Sequence, residues 1–393
     1  MPHLRSRFLE KPIKNSIGWS PIVSLVGGRQ TGKTTLLKRL SKESLSFDDP
    51  RLEERFSKSG EFILDTAKKP FFLDEVQKYP PAFDLLKLII DRDRRPAQFL
   101  ISGSIRFSSK KNIRESLTGR SVTWELLPLT LSETLEKPFP DWIDPFLKKK
   151  NPTSLLKSLE KNNRVSFAQI EHYLKKGGLP GICFLRDEAQ RQISIENYLD
   201  ALLGRDIQFV LNTRLKLSQL LQLLQILAQQ QGLPFNLSHA ARILSLSVPT
   251  VRRTMDALEA LFLIRPHGKG WFLEDQGVAT YLLKGQALDR RRELQCWVWS
   301  ELRAQVLYRK EYGATLKEYS TRGGSQVPFV LEMAKGIKLA ITVDEGQELT
   351  EKALKSLYSF QKKFPRAYLI HFHEGKDFRL HKSVLSMPAT ILA

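Results

Sequence analysis

Gly27-Gly28-Arg29-Gln30-Thr31-Gly32-Lys33-Thr34-Thr35 is the stretch on which the reading of this chain turns. It fits the phosphate-loop spacing of a glycine, four free positions, then glycine, lysine and a hydroxyl residue. The glycines let successive backbone N–H groups turn inward around a triphosphate, Lys33 reaches its outer phosphates, and Thr34 offers a hydroxyl to Mg²⁺. All nine residues are therefore candidate nucleotide contacts. The flanks supply the order such a loop needs. Ile22 to Val26 is an apolar, β-branched strand, and the leucines of Thr34-Thr35-Leu36-Leu37-Lys38-Arg39-Leu40 recur at helical spacing.

Further along, Pro70-Phe71-Phe72-Leu73-Asp74-Glu75 is an apolar strand ending in two acids. Behind a phosphate loop this reads as a Walker B segment. Asp74 holds Mg²⁺ through water, with Thr34 as the other metal-side residue, and Glu75 polarises the attacking water. Pro80-Pro81 then opens a helix with Phe83, Leu86, Ile89 and Ile90 on one face. The next strand, Gln98-Phe99-Leu100-Ile101, ends in Ser102-Gly103-Ser104; Ser104, with Ser102 second, is the candidate for the group beside the γ-phosphate. Glu115-Ser116-Leu117-Thr118-Gly119-Arg120 precedes a β-like run, and Arg120 is expected to end a turn beside the ligand. There it would stabilise transition-state charge in its own subunit or a neighbour's. Strands alternating with helices predict a three-layer α/β domain over residues 1–135, with its ligand at the carboxyl ends of a mostly parallel sheet.

At 393 residues the chain exceeds one ordinary core, so two or three domains are expected. With 41% hydrophobic and 26% charged residues it reads as soluble and globular. No apolar run reaches about 18 residues, which argues against a membrane-spanning helix. The first twenty residues lack a continuous apolar stretch, so a cytoplasmic location is expected, without secretion or membrane association. Two distant cysteines, Cys183 and Cys296, fit buried thiols in a reducing compartment. The net charge of +20, from 62 Lys and Arg against 42 acids, favours a polyanion, with DNA first among partners. A homo-oligomer stays open.

Residues 136–188 carry Pro138, Pro140, Pro152 and Lys148-Lys149-Lys150, and are read as a linker or lid that ends in the sharp turn Gly177-Gly178-Leu179-Pro180-Gly181. Residues 189–285 are expected to form a helical and winged-helix domain. Its leucine-rich helix running to Gln229 is core packing. Residues 237–244 and 248–259 form a helix-turn-helix, and 261–264 with 270–273 form two wing strands. Arg252 and Arg253, on the early part of the second helix, and Arg265 and Lys269, on the wing, are the candidate DNA contacts. Such modules also dock proteins, and that alternative stays open.

With these residues in hand, the chain resembles the prokaryotic AAA-type ATPases that join a phosphate-loop domain to a C-terminal winged-helix and nuclease-like region. The resemblance rests on the phosphate loop, Leu73-Asp74-Glu75-Val76-Gln77-Lys78-Tyr79-Pro80, Ser102-Gly103-Ser104, Leu117-Thr118-Gly119-Arg120, Leu127-Pro128-Leu129 with Glu133, Gly177-Gly178-Leu179-Pro180, and Gly204-Arg205-Asp206-Ile207. It implies ATP as ligand, Mg²⁺ as cofactor and ATP hydrolysis, and it adds Arg205 as a second candidate nucleotide-sensing arginine. It also implies a restriction-endonuclease-like α/β domain over 286–393. Residues 316–343 read as strand, turn and strand, followed by a helix over 349–363 and a strand over 366–371. The acidic segments that such nucleases use align with Gln326-Val327-Pro328-Phe329 and Thr342-Val343-Asp344, where carboxylates and lysine are replaced, so a non-cleaving domain is expected. The function expected from all this is Mg²⁺-dependent ATP hydrolysis coupled to DNA binding through the winged helix. The alternative is a nucleotide-gated protein-binding module with negligible turnover.

Overall fold

The computed structural model describes residues 4–107, 116–148, 151–160, 165–212 and 215–393; Glu115, Lys149 and Lys150, named above, lie outside the described residues. Five strands open the chain: β1 Ile22–Val26, β2 Glu43–Ser46, β3 Phe71–Asp74, β4 Phe99–Gly103 and β5 Ser121–Glu125. They form a parallel sheet in the order β2-β3-β4-β1-β5. Side chains alternate across a strand, so each apolar run is shared between two faces. Ile22, Val26, Phe71, Leu73, Phe99 and Ile101 pack with residues of the helices Pro50–Thr66 and Pro81–Arg92. Val23, Leu25, Phe72, Leu100 and Trp124 pack with residues of Glu10–Ile17 and Lys33–Leu40. The three layers expected from the sequence are present, with all five carboxyl ends on one edge.

Residues 136–188 are not a loose connection. They carry the helices Asp144–Leu147, Pro152–Glu160 and Phe167–Lys176. Trp142, Ile143 and Phe146 are buried in the same core as the C-terminal strands, with the Trp142 ring 5.6 Å from Phe372 and Phe146 5.2 Å from Tyr368. Pro145 and Pro152 stand at helix starts, while Pro138 and Pro140 lie in the irregular stretch before them.

The helix Glu188–Asp200 runs into a wide π-helical turn, Ala201–Asp206. A short helix, Ile207–Val210, and three longer ones come next, Leu217–Gln229, Leu237–Leu244 and Val248–Ala260, and then a hairpin of β6 Ile264–His267 and β7 Gly270–Leu273. Ser247 caps the third helix, its hydroxyl accepting from Thr250 N at 3.2 Å. The first hairpin strand starts later than expected, because Phe262 turns the chain at φ +57°.

Beyond its first turn the helix Arg290–Tyr308 is buried or half-buried on every side, as a helix through the middle of a large core must be. It ties the two halves together: Leu127 N donates to the Tyr308 hydroxyl at 3.0 Å, and Leu131 N to Glu301 Oε1 at 3.1 Å. Beyond it lie β8 Thr315–Ser320, β9 Gln326–Glu332, β10 Lys338–Val343, β11 Tyr368–His373, β12 Arg379–His381 and β13 Val384–Pro388, ordered β12-β13-β11-β10-β9-β8. Residues 316–343 thus fold as three antiparallel strands where the sequence suggested two, and the helix Glu351–Lys363 crosses from β10 to parallel β11.

Glu301 gives this junction a pH dependence. Burial pushes its carboxyl from the usual 4.5 up to about 8. The unfolded chain then releases this proton near the ordinary value and the folded chain only near 8, so stability falls as pH rises through that window. Glu301→Gln keeps an acceptor for Leu131 N and removes the titration. Its thermal midpoint is expected to drop less than the wild-type midpoint between pH 6 and pH 9; parallel curves would show that Glu301 does not set the dependence.

Candidate nucleotide site

The phosphate loop leaves the end of β1 and returns as the helix Lys33–Leu40. Two glycines shape it. A Cβ on Gly27 would lie 2.3 Å from Leu126 O, and Gly32 starts the helix at φ +95°, a region side chains avoid. Inside the loop, Thr31 Oγ1 donates to Gly28 O at 2.9 Å, and Lys33 Nζ to Gly27 O and Gly28 O at 3.0 and 2.8 Å. Lys33 is buried. Burial pushes its ammonium below the usual lysine range, and the nearby Glu75 and Asp74 work against that.

β4 lies between β1 and β3, so the hydroxyls at its end face the acids of β3. Thr34 Oγ1 donates to Asp74 Oδ2 at 2.7 Å, and Ser102 Oγ donates to Asp74 Oδ1. Burial raises the Asp74 pKa, while these two donors pull it back. Glu75, in a left-handed backbone conformation at φ +51°, offers Oε2 to Gln77 Nε2 at 2.5 Å and to Ser104 Oγ at 2.8 Å. The two serines divide between the acids: the Ser102 hydroxyl donates to Asp74 and the Ser104 hydroxyl to Glu75. Gln77, buried and bonded to both Glu75 and Ser104, had no role in the sequence reading, though it stands in the quoted run after Glu75.

A cavity of about 680 Å³ opens in front of the loop, within the range of about 300–1,000 Å³ usual for ligand sites. Its walls include Arg29, Gln30, Thr31, Gly32, Lys33, Thr34, Thr35 and Glu75, and on the far side Pro180, Gly181 and Phe184. The glycine-rich turn thus stands at this cavity, a place the sequence reading did not give it. Gly178 O accepts from Leu129 N at 2.7 Å, its N–H donates to Asp275 Oδ2 at 2.7 Å, and the rest of the turn presents Pro180 to the cavity. The residues fit a magnesium nucleotide: glycines where a Cβ would collide, a lysine at the loop, and a hydroxyl beside a buried carboxylate. Thr34 and Asp74 would hold the ion, which supplies charge neutralisation at the phosphates.

Arg120 does not belong to this edge. It directly precedes β5, whose Ser121 pairs with Ile22 at the start of β1, so it stands at the amino ends of the strands. There it forms a bidentate pair with Asp91, at 2.6 and 2.7 Å. Arg205 is 66% exposed, with Nε 3.6 Å from Asp206. Asp206, which the sequence reading passed over, instead reaches the phosphate loop and pairs with Arg29.

Of the four candidate DNA contacts, Arg252 and Arg253 are exposed on the helix Val248–Ala260. Arg265 is not available. It is largely enclosed, at 14% side-chain exposure, in a network with Glu125 at 2.7 Å and Glu274 at 2.9 Å, which also takes in Arg303. The hairpin tip bearing Lys269 is docked on the C-terminal sheet: Lys269 N donates to Glu318 Oε2 at 2.9 Å, and His267 Nε2 lies 2.8 Å from Pro328 O.

Comparison with known proteins agrees with the geometry of the first half. Residues 20–135 match the model of an AAA domain, and residues 167–269 match that of a domain of unknown function. An uncharacterized protein of Mycobacterium tuberculosis is 25% identical over 256 residues, covering 64% of this chain and 51% of the relative. An uncharacterized protein of Methanocaldococcus jannaschii is 24% identical over 215 residues, covering 52% and 45%. The chain spans about half the length of these curated relatives. Among solved structures, the Walker-type ATPase of Pyrococcus abyssi aligns with a TM-score of 0.41 at 15% identity, covering 70% of this chain and 94% of that one. A signal-transduction ATPase with numerous domains from Pyrococcus horikoshii aligns at 0.29 and 13%, covering 78% and 46%. The first domain is thus AAA-like, with a P-loop and a parallel sheet. No helix among the described residues is long and apolar enough to cross a membrane.

Proposed function

We propose that this chain is a Mg²⁺-dependent ATPase whose nucleotide cycle is coupled to DNA binding through the helix Val248–Ala260. The observation that carries the first part is the pairing at the strand ends, with Thr34 and Ser102 on Asp74, and Ser104 and Gln77 on Glu75. One acid is held for a metal ion and the other is held separately as a base. Glu75 takes the proton of the attacking water, Lys33 and the loop N–H groups hold the phosphates, and closure by Pro180 and Phe184 limits water.

Coupling is supported by the stretch of chain just beyond Ser104. Two residues on, Arg106 N donates to Ala260 O at 3.0 Å, at the end of the helix that carries Arg252 and Arg253. Its guanidinium pairs with Glu125 at 3.2 Å and lies 4.6 Å over the Phe262 ring. Phe262 in turn abuts the phosphate loop, since a Cβ on Gly28 would sit 3.6 Å from it. A change at the γ-phosphate side thus has a packed route to the exposed arginines. The C-terminal sheet serves this reading as a non-cleaving platform for assembly or binding. Asp344, in the segment that aligns with the altered acidic motif, is paired with Arg291 at 3.0 Å.

The test is duplex binding at several salt concentrations. Arg252→Ala with Arg253→Ala should weaken binding and reduce the slope of log affinity against log salt by about one per lost phosphate contact. Unchanged affinity and slope would favour the second reading, a nucleotide-gated protein-docking module. Ile243 and Val248, 41% and 36% exposed near the same turn, are the observation that speaks for it.

A further inference from the structure

Neither arginine singled out by the sequence lines the cavity, whereas Arg29 does, along with Arg5, Arg7 and Arg39, and of these it alone belongs to the phosphate loop. Arg29, inside the phosphate loop, lines the same wall as Lys33, Thr34 and Glu75. Its side chain is 24% exposed, and its Nε forms an ion pair with Asp206 Oδ2.

Asp206 comes from a distant part of the chain and is unusual in its own right. Its side chain is 3% exposed, and its described partners are the two arginines Arg29 and Arg205. Burying a carboxylate with ionic partners alone costs stability unless something else completes its surroundings. Asp206 also closes the π-helical turn Ala201–Asp206, a wide turn that recurs where helices are bent to serve a site. The exposed Arg205 alongside adds only a longer contact, at 3.6 Å. The pair Arg29–Asp206 thus joins the loop that must hold phosphate to the helical region that caps it.

We propose that Arg29, aimed by Asp206, is the arginine that meets the outer phosphates of ATP and stabilises the charge that develops as the γ-phosphate leaves, within a single subunit. This rests on the hydrolysis reading above. Water adds to the γ-phosphorus and gives its proton to Glu75. The bond to the bridging oxygen breaks, and its electron pair stays on ADP. The charge gathering on that oxygen and on the phosphoryl group is what a guanidinium at the loop offsets. Asp206 is a positioning residue: it fixes one edge of the guanidinium and leaves the remaining N–H groups for phosphate oxygens.

The experiment compares wild type, Arg29→Ala, Asp206→Asn and Asp206→Glu in steady-state turnover, and by titration with ADP and with ADP–aluminium fluoride, both with Mg²⁺. For Arg29→Ala, kcat should fall about 10³-fold. Affinity for ADP should stay within a few-fold, which also reports an intact fold, and the preference for the fluoride complex over ADP should disappear. Asp206→Asn should lower kcat about tenfold with KM little changed, as expected when orientation and not binding is lost, and Asp206→Glu should recover most of it. Mixing Arg29→Ala with Glu75→Gln chains should restore no turnover. If wild type turns over ATP and favours the fluoride complex while Arg29→Ala does the same, Arg29 is not this group. Rescue in the mixture would place it in a neighbour's site and overturn the single-subunit assignment. A wild-type chain that binds ATP but neither hydrolyses it nor favours the fluoride complex would overturn the hydrolysis reading itself, and the role of Arg29 with it.

Discussion

Lys33→Ala is expected to lose ATP affinity by about two orders of magnitude, while Glu75→Gln keeps it and loses turnover. The contrast comes from where the two groups stand. Lys33 is buried in the loop on the carbonyls of Gly27 and Gly28 and lines the cavity, where a phosphate would take up its charge. Deleting it removes a charge-assisted contact worth about 1.5–3 kcal/mol for the hydrogen bond alone, about 10- to 150-fold in affinity. Glu75 touches Gln77 and Ser104 rather than the loop, and glutamine keeps its shape and the acceptor for those donors. Only the base is lost, which should lower kcat by about 10²–10⁴-fold. Binding is read by titration with a fluorescent ATP analogue, and turnover by phosphate release. Equal loss of binding in both variants would break the division of roles between loop and strand end.

How much of this was legible in the sequence depends on how local the determining contacts are. The phosphate loop, the strand ending in Asp74 and Glu75 and the serines of β4 do lie together, and each was legible because it is set by its own strand, turn or helix. The sheet order β2-β3-β4-β1-β5 is not local, and it is what puts Ser102 opposite Asp74. Arg120 was misplaced although its position could have been argued: a residue just before a strand of a parallel sheet lies at the amino edge, away from the ligand. Arg265 was misread for the opposite reason. Its partners, Glu125 and Glu274, sit on other elements, so nothing near it in sequence showed that its charge was already taken. Asp206 stood in a quoted run, but the charge of Arg205 drew the attention. Burial, at 3% against 66% exposure, is what separates the two.

The second large effect is expected behind the loop, at Arg7. Its guanidinium donates to Glu133 Oε1 at 3.1 Å, to Thr31 O at 2.5 Å and to Leu127 O at 2.7 Å, all in the interior. Arg7→Met keeps much of the packing but leaves Glu133 buried without its counter-ion, which typically costs about 3–5 kcal/mol. The thermal midpoint should fall by at least about 6 °C, and affinity for ADP should fall with it, because Thr31 O is no longer held in the shape the loop needs. Adding Glu133→Gln separates the two consequences. Neutralising the stranded carboxylate should recover a large part of the stability, since a neutral buried side chain costs less than an unpaired charge. It should not recover nucleotide affinity, since no donor to Thr31 O is restored. If the double variant regained both, the loop would owe its shape to its own glycines and to Lys33 alone. If Arg7→Met melted with the wild type, the buried pair would not be part of what holds the first domain together.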